Sequence, residues 1–150
     1  MIKIICVGKI KESFFRDAID EYLKRLSKYT KVEIVELPDC GFDSSKNVET
    51  ESKNIISKIN VKDYNILMDI GGNNLDSVEF SNKIKNTLIT NSNITFIIGG
   101  SNGVSDEIRN MVNYRLSFSK MTFPHQLFRV VLLEQIYRSF KIMNNEEYHK

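Results

Sequence analysis

Short apolar runs alternate along the chain with segments in which apolar residues recur every three or four positions. Five of these runs are rich in β-branched or aromatic residues and end at turn residues, which is typical of buried strands. They cover residues 2–7, 32–37, 64–70, 94–98 and 114–118. In the segments between them, the three- and four-residue spacing predicts helices with one apolar face. These helices are expected over residues 13–26, 48–59, 78–88, after Ser105, and over 127–143.

The alternation of strand and helix predicts the fold class. Parallel strands need crossover connections, and here a predicted helix separates each pair of consecutive strands. We therefore expect an α/β fold with a mostly parallel sheet flanked by helices. Because no repeat or low-complexity tract divides the 150 residues, residues 1–150 are expected to form a single domain.

The last predicted helix, over residues 127–143, is apolar on nearly every side. Such a helix must be buried all round. It can be the central core helix of a monomer, or it can place one face on the sheet and another on a second subunit. The second arrangement is economical for a domain this small, so a homodimer is expected.

Composition places the chain among ordinary globular proteins, with 41% hydrophobic and 27% charged residues. No apolar run approaches the roughly 20 residues of a membrane span. The amino terminus lacks a signal-peptide pattern. Cys6 and Cys40 stand alone, without metal-ligand spacing, which indicates a reducing compartment. A cytoplasmic protein is predicted.

The net charge of +2 is small, but the positive charge is concentrated near the carboxyl terminus. Residues 109–150 hold seven Lys or Arg against three Asp or Glu, and four of the six arginines. Arginine is well suited to binding phosphate. This segment is compatible with an RNA-binding surface and equally with a solvated basic face.

Two glycine pairs, Gly71-Gly72 and Gly99-Gly100, each follow a predicted strand. Ligands of parallel α/β sheets bind at the carboxyl ends of strands, where glycine lets the backbone approach a flat ligand. The two pairs together predict a cofactor pocket, although either pair could serve only a tight turn. Neither matches the dinucleotide fingerprint or the phosphate-binding loop, so NAD and ATP have no support.

The segment between the fifth strand and the last helix is apolar without being regular. Phe118, Met121 and Phe123 alternate with polar residues, and Pro124 restricts the backbone before the helix. An apolar loop of this kind is expected to line a pocket or to be covered by another chain.

Four motifs occur in order: MDIGG at residues 68–72, IGGSNG at 98–103, SFSKMTFPHQ at 117–126 and YHK at 148–150. With these motifs the chain resembles, over essentially its whole length, the ribosomal RNA large subunit methyltransferase H family of the SPOUT superfamily. The resemblance implies a homodimeric SPOUT-type α/β fold with a C-terminal trefoil knot. It also implies that S-adenosyl-L-methionine is used to methylate the third ring nitrogen, N3, of a pseudouridine in 23S ribosomal RNA, on the assembled ribosome.

The resemblance also implies which residues contact the cofactor. Carried over position by position, they are Met68, Gly99, Phe118, Ser119, Lys120, Met121, Thr122 and Phe123. Met68 stands where the family more often has leucine, a replacement of similar volume. No metal is expected, because no cluster of His, Cys and carboxylates has ligand spacing.

The acceptor nitrogen carries a weakly acidic proton that must be removed, or whose anion must be stabilised. His125, beside the loop, is either catalytic or a cap of the last helix. Arg138 is either catalytic or buried, and with Arg129 it could bind phosphate or stabilise negative charge. Polar tails are usually frayed, but the resemblance implies a tail that reaches the active site of the partner subunit. Tyr148 and His149 are therefore expected to orient or deprotonate the base.

Two other functions fit parts of the sequence. One is a non-catalytic ribosome-binding or RNA-binding protein with a vestigial pocket, against which the intact glycine and loop motifs argue. The other is a nucleotide-binding or receiver-type domain that uses Asp69. The lack of a phosphate loop, and of acidic residues beside the first strand, argues against it. Asp69 is expected to cap the end of its strand.

Overall fold

A computed structural model describes residues 1–41 and 44–150 of the chain. Within these residues, strands and helices alternate as the sequence predicts. They are β1 (Ile2–Val7), α1 (Ser13–Leu26), β2 (Val32–Leu37), α2 (Ser44–Lys58), β3 (Tyr64–Asn74), α3 (Ser77–Thr90), β4 (Ile94–Ile98), α4 (Asp106–Met111), β5 (Tyr114–Ser117) and α5 (His125–Met143).

The strands form one parallel sheet in the order β2-β1-β4-β3-β5, which confirms the predicted fold class. Strand β1 pairs with β2 through Ile4 and Ile34, and with β4 through Ile4 and Phe96. The connections that follow β1 and β4 leave in opposite directions along the sheet. In open α/β sheets, ligands bind in the crevice at such a point.

Two apolar cores lie on the two faces of the sheet, because successive strand residues point to opposite sides. Ile2 and Ile4 belong to a core shared with α1, α3 and α5. Ile5 and Val7 belong to a smaller core shared with α2 and α4. The sheet is therefore covered by helices on both faces, as parallel sheets require.

Helix α5 packs against both α1 and α3 and buries Leu132, Leu133 and Ile136 completely. Burial in the core of a single chain thus accounts for much of the apolar surface of α5. At its amino end, Leu127 remains 36% exposed. In the described residues, no helix combines the length and the apolar character that a membrane span needs.

The boundaries of five elements differ from the sequence prediction. Helix α3 begins one residue earlier and ends two residues later than predicted, and α5 begins two residues earlier. Strand β3 extends past residue 70 because its pairing with β5 shifts register and resumes at Asn73 and Asn74. Their side-chain amides donate to backbone oxygens of β5 at 3.3 and 3.0 Å. Helix α2 begins four residues earlier than predicted, at Ser44, and β5 ends one residue earlier, at Ser117.

Candidate active site

A cavity of about 300 Å³ opens at the carboxyl ends of β3, β4 and β5; we call it the strand-end cavity. Three walls come from the strand ends, at residues 67–70, 98–101 and 116–119. A fourth comes from residues 121–123 and from His125 and Phe128 at the start of α5. This is the position in which α/β proteins bind cofactors.

Seven of the eight residues that the resemblance assigns to the cofactor line this cavity; all eight lie in the described part of the chain. Lys120 does not line it and is exposed. The reason is a tight turn in which Met121 N donates to Ser119 Oγ at 3.0 Å and Ser117 Oγ donates to Ser119 O at 2.9 Å. Lys120 is the apex of that turn, so its assignment to the cofactor has no support in the geometry.

Gly99 and Gly100 both pack closely against neighbouring side chains beside the cavity. A Cβ atom at Gly99 would lie 2.6 Å from Val104 Cγ1, and one at Gly100 would lie 2.6 Å from Glu51 Oε1. Gly103 N donates to Gly100 O at 3.0 Å and closes the turn. The backbone of this turn therefore lies against the cavity with no side chain between them, as the glycine pair predicts.

The other glycine pair does not contribute to the cavity, so the prediction that both pairs form the pocket is wrong. Gly71 and Gly72 belong to the irregular extension of β3 and do not line the strand-end cavity. A Cβ atom at Gly72 would lie 2.7 Å from the carbonyl group of Arg115. Gly72 thus allows a close approach of β3 to β5.

The apolar loop after β5 is anchored by aromatic contacts. The ring of Phe118 lies 5.8 Å from Phe80 and 5.4 Å from Phe128, between ring centroids. Phe123 lies 6.0 Å from Phe128. Met121 in contrast is 77% exposed. The loop lines a cavity, as predicted, and also presents apolar surface outside it.

Asp69 forms a charged contact that the sequence prediction missed. Its carboxylate accepts a hydrogen bond from Gly71 N at 3.1 Å, which agrees with the predicted strand cap. It also lies 3.5 Å from Arg109 Nε and 3.4 Å from Arg115 Nη1. Asp69 and Arg109 both line the strand-end cavity. The pairing joins side chains distant in sequence, so no local pattern indicates it.

Three of the four predicted catalytic residues meet at the carboxyl-terminal half of α5. Arg138 pairs with Glu134 at 2.8 Å, and Tyr148 donates its hydroxyl hydrogen bond to Glu134 at 3.0 Å. Arg138 Nη1 lies 3.1 Å from His149 Nδ1. We call Glu134, Arg138, Tyr148 and His149 the tail cluster. Glu134 was not predicted, although its spacing of four from Arg138 is a signal for a helical ion pair.

The contacts of the tail cluster raise the pKa values of Tyr148 and Arg138 and orient the ring of His149. Burial, reinforced by the hydrogen bond to the Glu134 carboxylate, raises the pKa of Tyr148 to about 12, so its hydroxyl is protonated at neutral pH. The hydrogen bond to Glu134 also raises the pKa of Arg138. Because guanidinium nitrogens only donate, His149 Nδ1 must accept in this contact. A neutral His149 therefore carries its proton on Nε2, which is then a donor.

The tail that carries this cluster is docked rather than frayed. Glu146 accepts hydrogen bonds from Tyr29 at 2.6 Å and from Lys141 at 2.8 Å. The hydrogen bond from Lys141 is the main cause that lowers the pKa of Glu146. The rings of Tyr137 and Tyr148 also pack edge to face, 5.1 Å apart. The usual expectation for a polar tail does not hold here.

The fourth predicted catalytic residue, His125, lies apart from the tail cluster. It is the first residue of α5 and lines the strand-end cavity. At about 1.5 Å per residue, α5 places Arg138 roughly 20 Å further along the helix than His125. Within one chain, the cavity and the tail cluster therefore lie at opposite ends of the helix.

The fold and the strand-end cavity define a class of protein, an α/β enzyme that holds a cofactor at the carboxyl ends of parallel strands. Comparison with known proteins narrows the class. Residues 1–149 match the family described as "Predicted SPOUT methyltransferase". The chain is 53% identical over 157 residues to Ribosomal RNA large subunit methyltransferase H 1 of Clostridium perfringens (strain SM101 / Type A). It is 54% identical over 157 residues to Ribosomal RNA large subunit methyltransferase H of Clostridium beijerinckii (strain ATCC 51743 / NCIMB 8052).

Each alignment covers 99% of this chain and 99% of the relative. The chain belongs to the SPOUT methyltransferase family and, within it, to the ribosomal RNA large subunit methyltransferase H proteins. It is an enzyme, a methyltransferase that uses S-adenosyl-L-methionine.

Solved structures of low sequence identity share the fold. A probable methylase family protein from Haemophilus influenzae Rd KW20 aligns with a TM-score of 0.57 at 14% identity, over 99% of this chain and 70% of that chain. The tRNA (m1G37) methyltransferase from Aquifex aeolicus aligns with a TM-score of 0.50 at 15% identity, over 91% of this chain and 69% of that chain. These likenesses concern the fold alone.

Proposed function

We propose that this protein methylates N3 of a pseudouridine in 23S ribosomal RNA, acting on the assembled ribosome in the cytoplasm. Relatives that share 53% and 54% of their residues with it are named as methyltransferases of the large-subunit ribosomal RNA. The arginines concentrated in residues 109–150 suit contacts with RNA phosphates. The small net charge of +2 favours a shaped, assembled RNA surface over free RNA as the substrate.

The observation that carries the proposal is the strand-end cavity. Met68, Leu116 and Phe118 give it apolar walls, and Gly99 exposes backbone to a flat ligand. These features fit an adenosyl group, which has flat apolar faces and polar edges. When bound, S-adenosyl-L-methionine supplies a methyl group on a positively charged sulfur, transferred by in-line displacement. The residues of the cavity supply much of the rate by positioning.

We propose further that the complete active site needs two copies of the chain, in a homodimer with the C-terminal knot of the SPOUT fold. The support is the separation of roughly 20 Å along α5 between His125, at the cavity, and Arg138, in the tail cluster. The tail of a partner subunit can reach the cavity of this chain while the contacts within the partner subunit still hold that tail in place. Met121, 77% exposed, and Leu127, 36% exposed, offer apolar surface next to the cavity for such a partner.

In this arrangement the tail cluster stabilises negative charge. N3 of pseudouridine lies between two ring carbonyl groups, so charge develops on their oxygens as the N3 proton leaves to solvent and the methyl group replaces it. His149 Nε2–H and the Arg138 guanidinium are donors suited to that charge. Tyr148 does not take the proton, because its pKa of about 12 keeps it protonated and bound to Glu134. Its role is to position the cluster.

Deletion of residues 148–150 tests this assignment. We expect methyl transfer to fall by at least about a hundredfold, the scale of lost charge stabilisation, with unchanged affinity for S-adenosyl-L-methionine. Transfer is measured with radiolabelled donor and ribosomes from cells that lack the enzyme, and affinity by calorimetry. The Lys62→Gln variant, at an exposed position just before the amino end of β3, is the control.

The outcomes separate the possible functions. Loss of transfer with intact donor binding supports the proposal, whereas transfer retained by the deletion variant refutes the role of the tail. A full-length protein that binds no S-adenosyl-L-methionine would instead be a non-catalytic RNA-binding protein with a vestigial pocket.

A further inference from the structure

A second cavity of about 330 Å³ adjoins the strand-end cavity; we call it the loop cavity. It opens at the carboxyl ends of β1 and β4, where the connections leave in opposite directions. One wall is the segment between β1 and α1, including Lys9, Lys11 and Phe15. The other is the start of α5, including Gln126 and Arg129. None of the functions assigned so far uses this cavity.

The segment between β1 and α1 is held in place by α5 and by β2. Gln126 Oε1 accepts from the backbone N of Lys11 at 2.9 Å and of Glu12 at 3.2 Å. Glu36 accepts from Ile10 N at 3.2 Å. A wall fixed by hydrogen bonds from two elements is pre-organised, which lowers the entropic cost of binding a ligand.

Arg129 is the most unusual residue of the loop cavity, because a guanidinium is rarely buried. Its side chain is only 3% exposed. Nη1 donates to Glu36 at 2.6 Å and Nη2 donates to Gly8 O at 3.1 Å. Among the described residues, its buried Nε has no hydrogen-bond partner. Nε is also closed off from solvent, so Arg129 contributes to the loop cavity as part of a fixed ion pair with Glu36, and a ligand of the cavity would meet the wall that this pair holds in place.

The charge and position of the loop cavity indicate what that ligand is. Lys9 and Lys11 outnumber Asp39 among its charged linings, since the charge of Arg129 is paired with Glu36, and this excess favours an anion such as a phosphate. Phe15 contributes an aromatic side chain to the lining, the kind of group on which a base packs. The wall between the two cavities is shared, because Gly100, Ser101 and His125 line both. A ligand in the loop cavity therefore lies beside the methyl donor.

We propose that the loop cavity binds the acceptor nucleotide, a pyrimidine nucleotide turned out of the RNA. This inference rests on the proposed function and adds the location of the substrate. The base packs on Phe15, and the 5′-phosphate lies near Lys9 and Lys11. Enzymes that modify bases commonly turn the target nucleotide out of the RNA into such a pocket.

The test uses the full-length protein saturated with S-adenosylhomocysteine, titrated with uridine 5′-monophosphate and followed by NMR. We expect saturable binding that shifts signals of residues 8–15 and 125–129. Lys11→Gln and Phe15→Leu should each weaken this binding at least threefold, with unchanged affinity for S-adenosylhomocysteine. Lys62→Gln, which removes the same charge from an exposed distant position, should bind as the wild type does. Thermal unfolding confirms that each variant folds.

Titration with uridine and with inorganic phosphate separates the contributions of base and anion; phosphate that binds as tightly as the nucleotide would reduce the site to an anion site and overturn the proposal. The proposal would also be contradicted if the nucleotide competes with S-adenosylhomocysteine, or if it shifts NMR signals of other residues instead. It would be contradicted as well if no nucleotide binds at millimolar concentration, or if Lys11→Gln and Phe15→Leu bind the nucleotide as tightly as the wild type does. In those cases, a protein that still binds the donor and methylates ribosomes leaves the proposed function intact. A protein that does neither shows that the proposed function itself is wrong.

Discussion

The shape of the strand-end cavity depends on the absence of a Cβ atom at Gly99. A methyl group there would lie 2.6 Å from Val104 Cγ1, closer than real Cβ atoms come. The turn that follows β4 must then shift, and its backbone is a wall of the cavity.

We predict that Gly99→Ala weakens binding of S-adenosyl-L-methionine about tenfold or more and lowers the free energy of unfolding by about 1–3 kcal/mol. Calorimetry and chemical denaturation measure the two effects. Gly71→Ala is the matched control, because its Cβ would meet Asp69 Oδ1 at 3.7 Å, an ordinary contact, outside the cavity. Wild-type donor affinity in Gly99→Ala would show that this turn does not hold the donor.

Individual residues also show what the sequence can and cannot reveal about the site. Met68 was assigned to the cofactor only through the resemblance of its motif to the family, whereas Gly99, after a strand, and Phe118, in the apolar loop, were also expected at a pocket from the sequence pattern; all three line the cavity. That Lys120 does not line the cavity could not be predicted, because the hydrogen bonds of a tight turn decide which residue is its apex. The buried Arg129 depends on Glu36, 93 positions away, and no local pattern shows that pairing.

At the scale of elements, α5 connects the two parts of the proposed active site. Its first turn lines both cavities, and its last turns hold the tail cluster. Glu134 is central to that cluster, because its carboxylate binds both Arg138 and Tyr148.

We predict that Glu134→Gln brings the pKa of Tyr148 down from about 12 towards its ordinary value of 10. Burial still favours the neutral phenol, but the neighbouring negative charge is gone. Because folding raises this pKa, the stability it contributes is complete below pH 10 and is lost as the pH rises towards 12. NMR titration of labelled tyrosine, assigned with Tyr148→Phe, measures the pKa.

The control for this prediction is Glu147→Gln, which removes the same charge one residue from Tyr148 and leaves the Glu134 contact in place. Its Tyr148 should titrate nearly as in the wild type. An ordinary pKa of Tyr148 in the wild-type protein, or one that Glu134→Gln leaves unchanged, would contradict the contact.

Most elements were predictable because their apolar residues follow the strand or helix period, as in β1, β2, β4 and α1, whose bounds match the prediction. The end of β3 could not be predicted, since residues 71–74 are polar and extended only through non-local pairing with β5. The start of α2 was missed because its first turn has no apolar period.

At the scale of the whole molecule, the separation of cavity and tail cluster predicts an active site shared between subunits. A chain with Gly99→Ala has a defective cavity and a sound tail, whereas a chain without residues 148–150 has the reverse. In a mixed dimer, one site combines the sound cavity with the sound tail.

At a donor concentration too low to fill the Gly99→Ala cavity, mixing the two impaired variants under conditions of subunit exchange should therefore restore activity, to about one quarter of the wild-type level for random pairing. The measurement is methyl transfer to ribosomes, with light scattering to establish the dimer. Each variant mixed with itself is the control. A mixture as inactive as its components, or a protein that is monomeric at micromolar concentration, would rule out the shared site.

The central claim is that the strand-end cavity holds the methyl donor. A crystal structure of the protein with S-adenosylhomocysteine tests it most directly. We expect density for the adenosyl group between Met68, Gly99 and Phe118, at the ends of β3, β4 and β5. Density at another place on the protein, or a fully occupied ligand that leaves this cavity empty, would contradict the account.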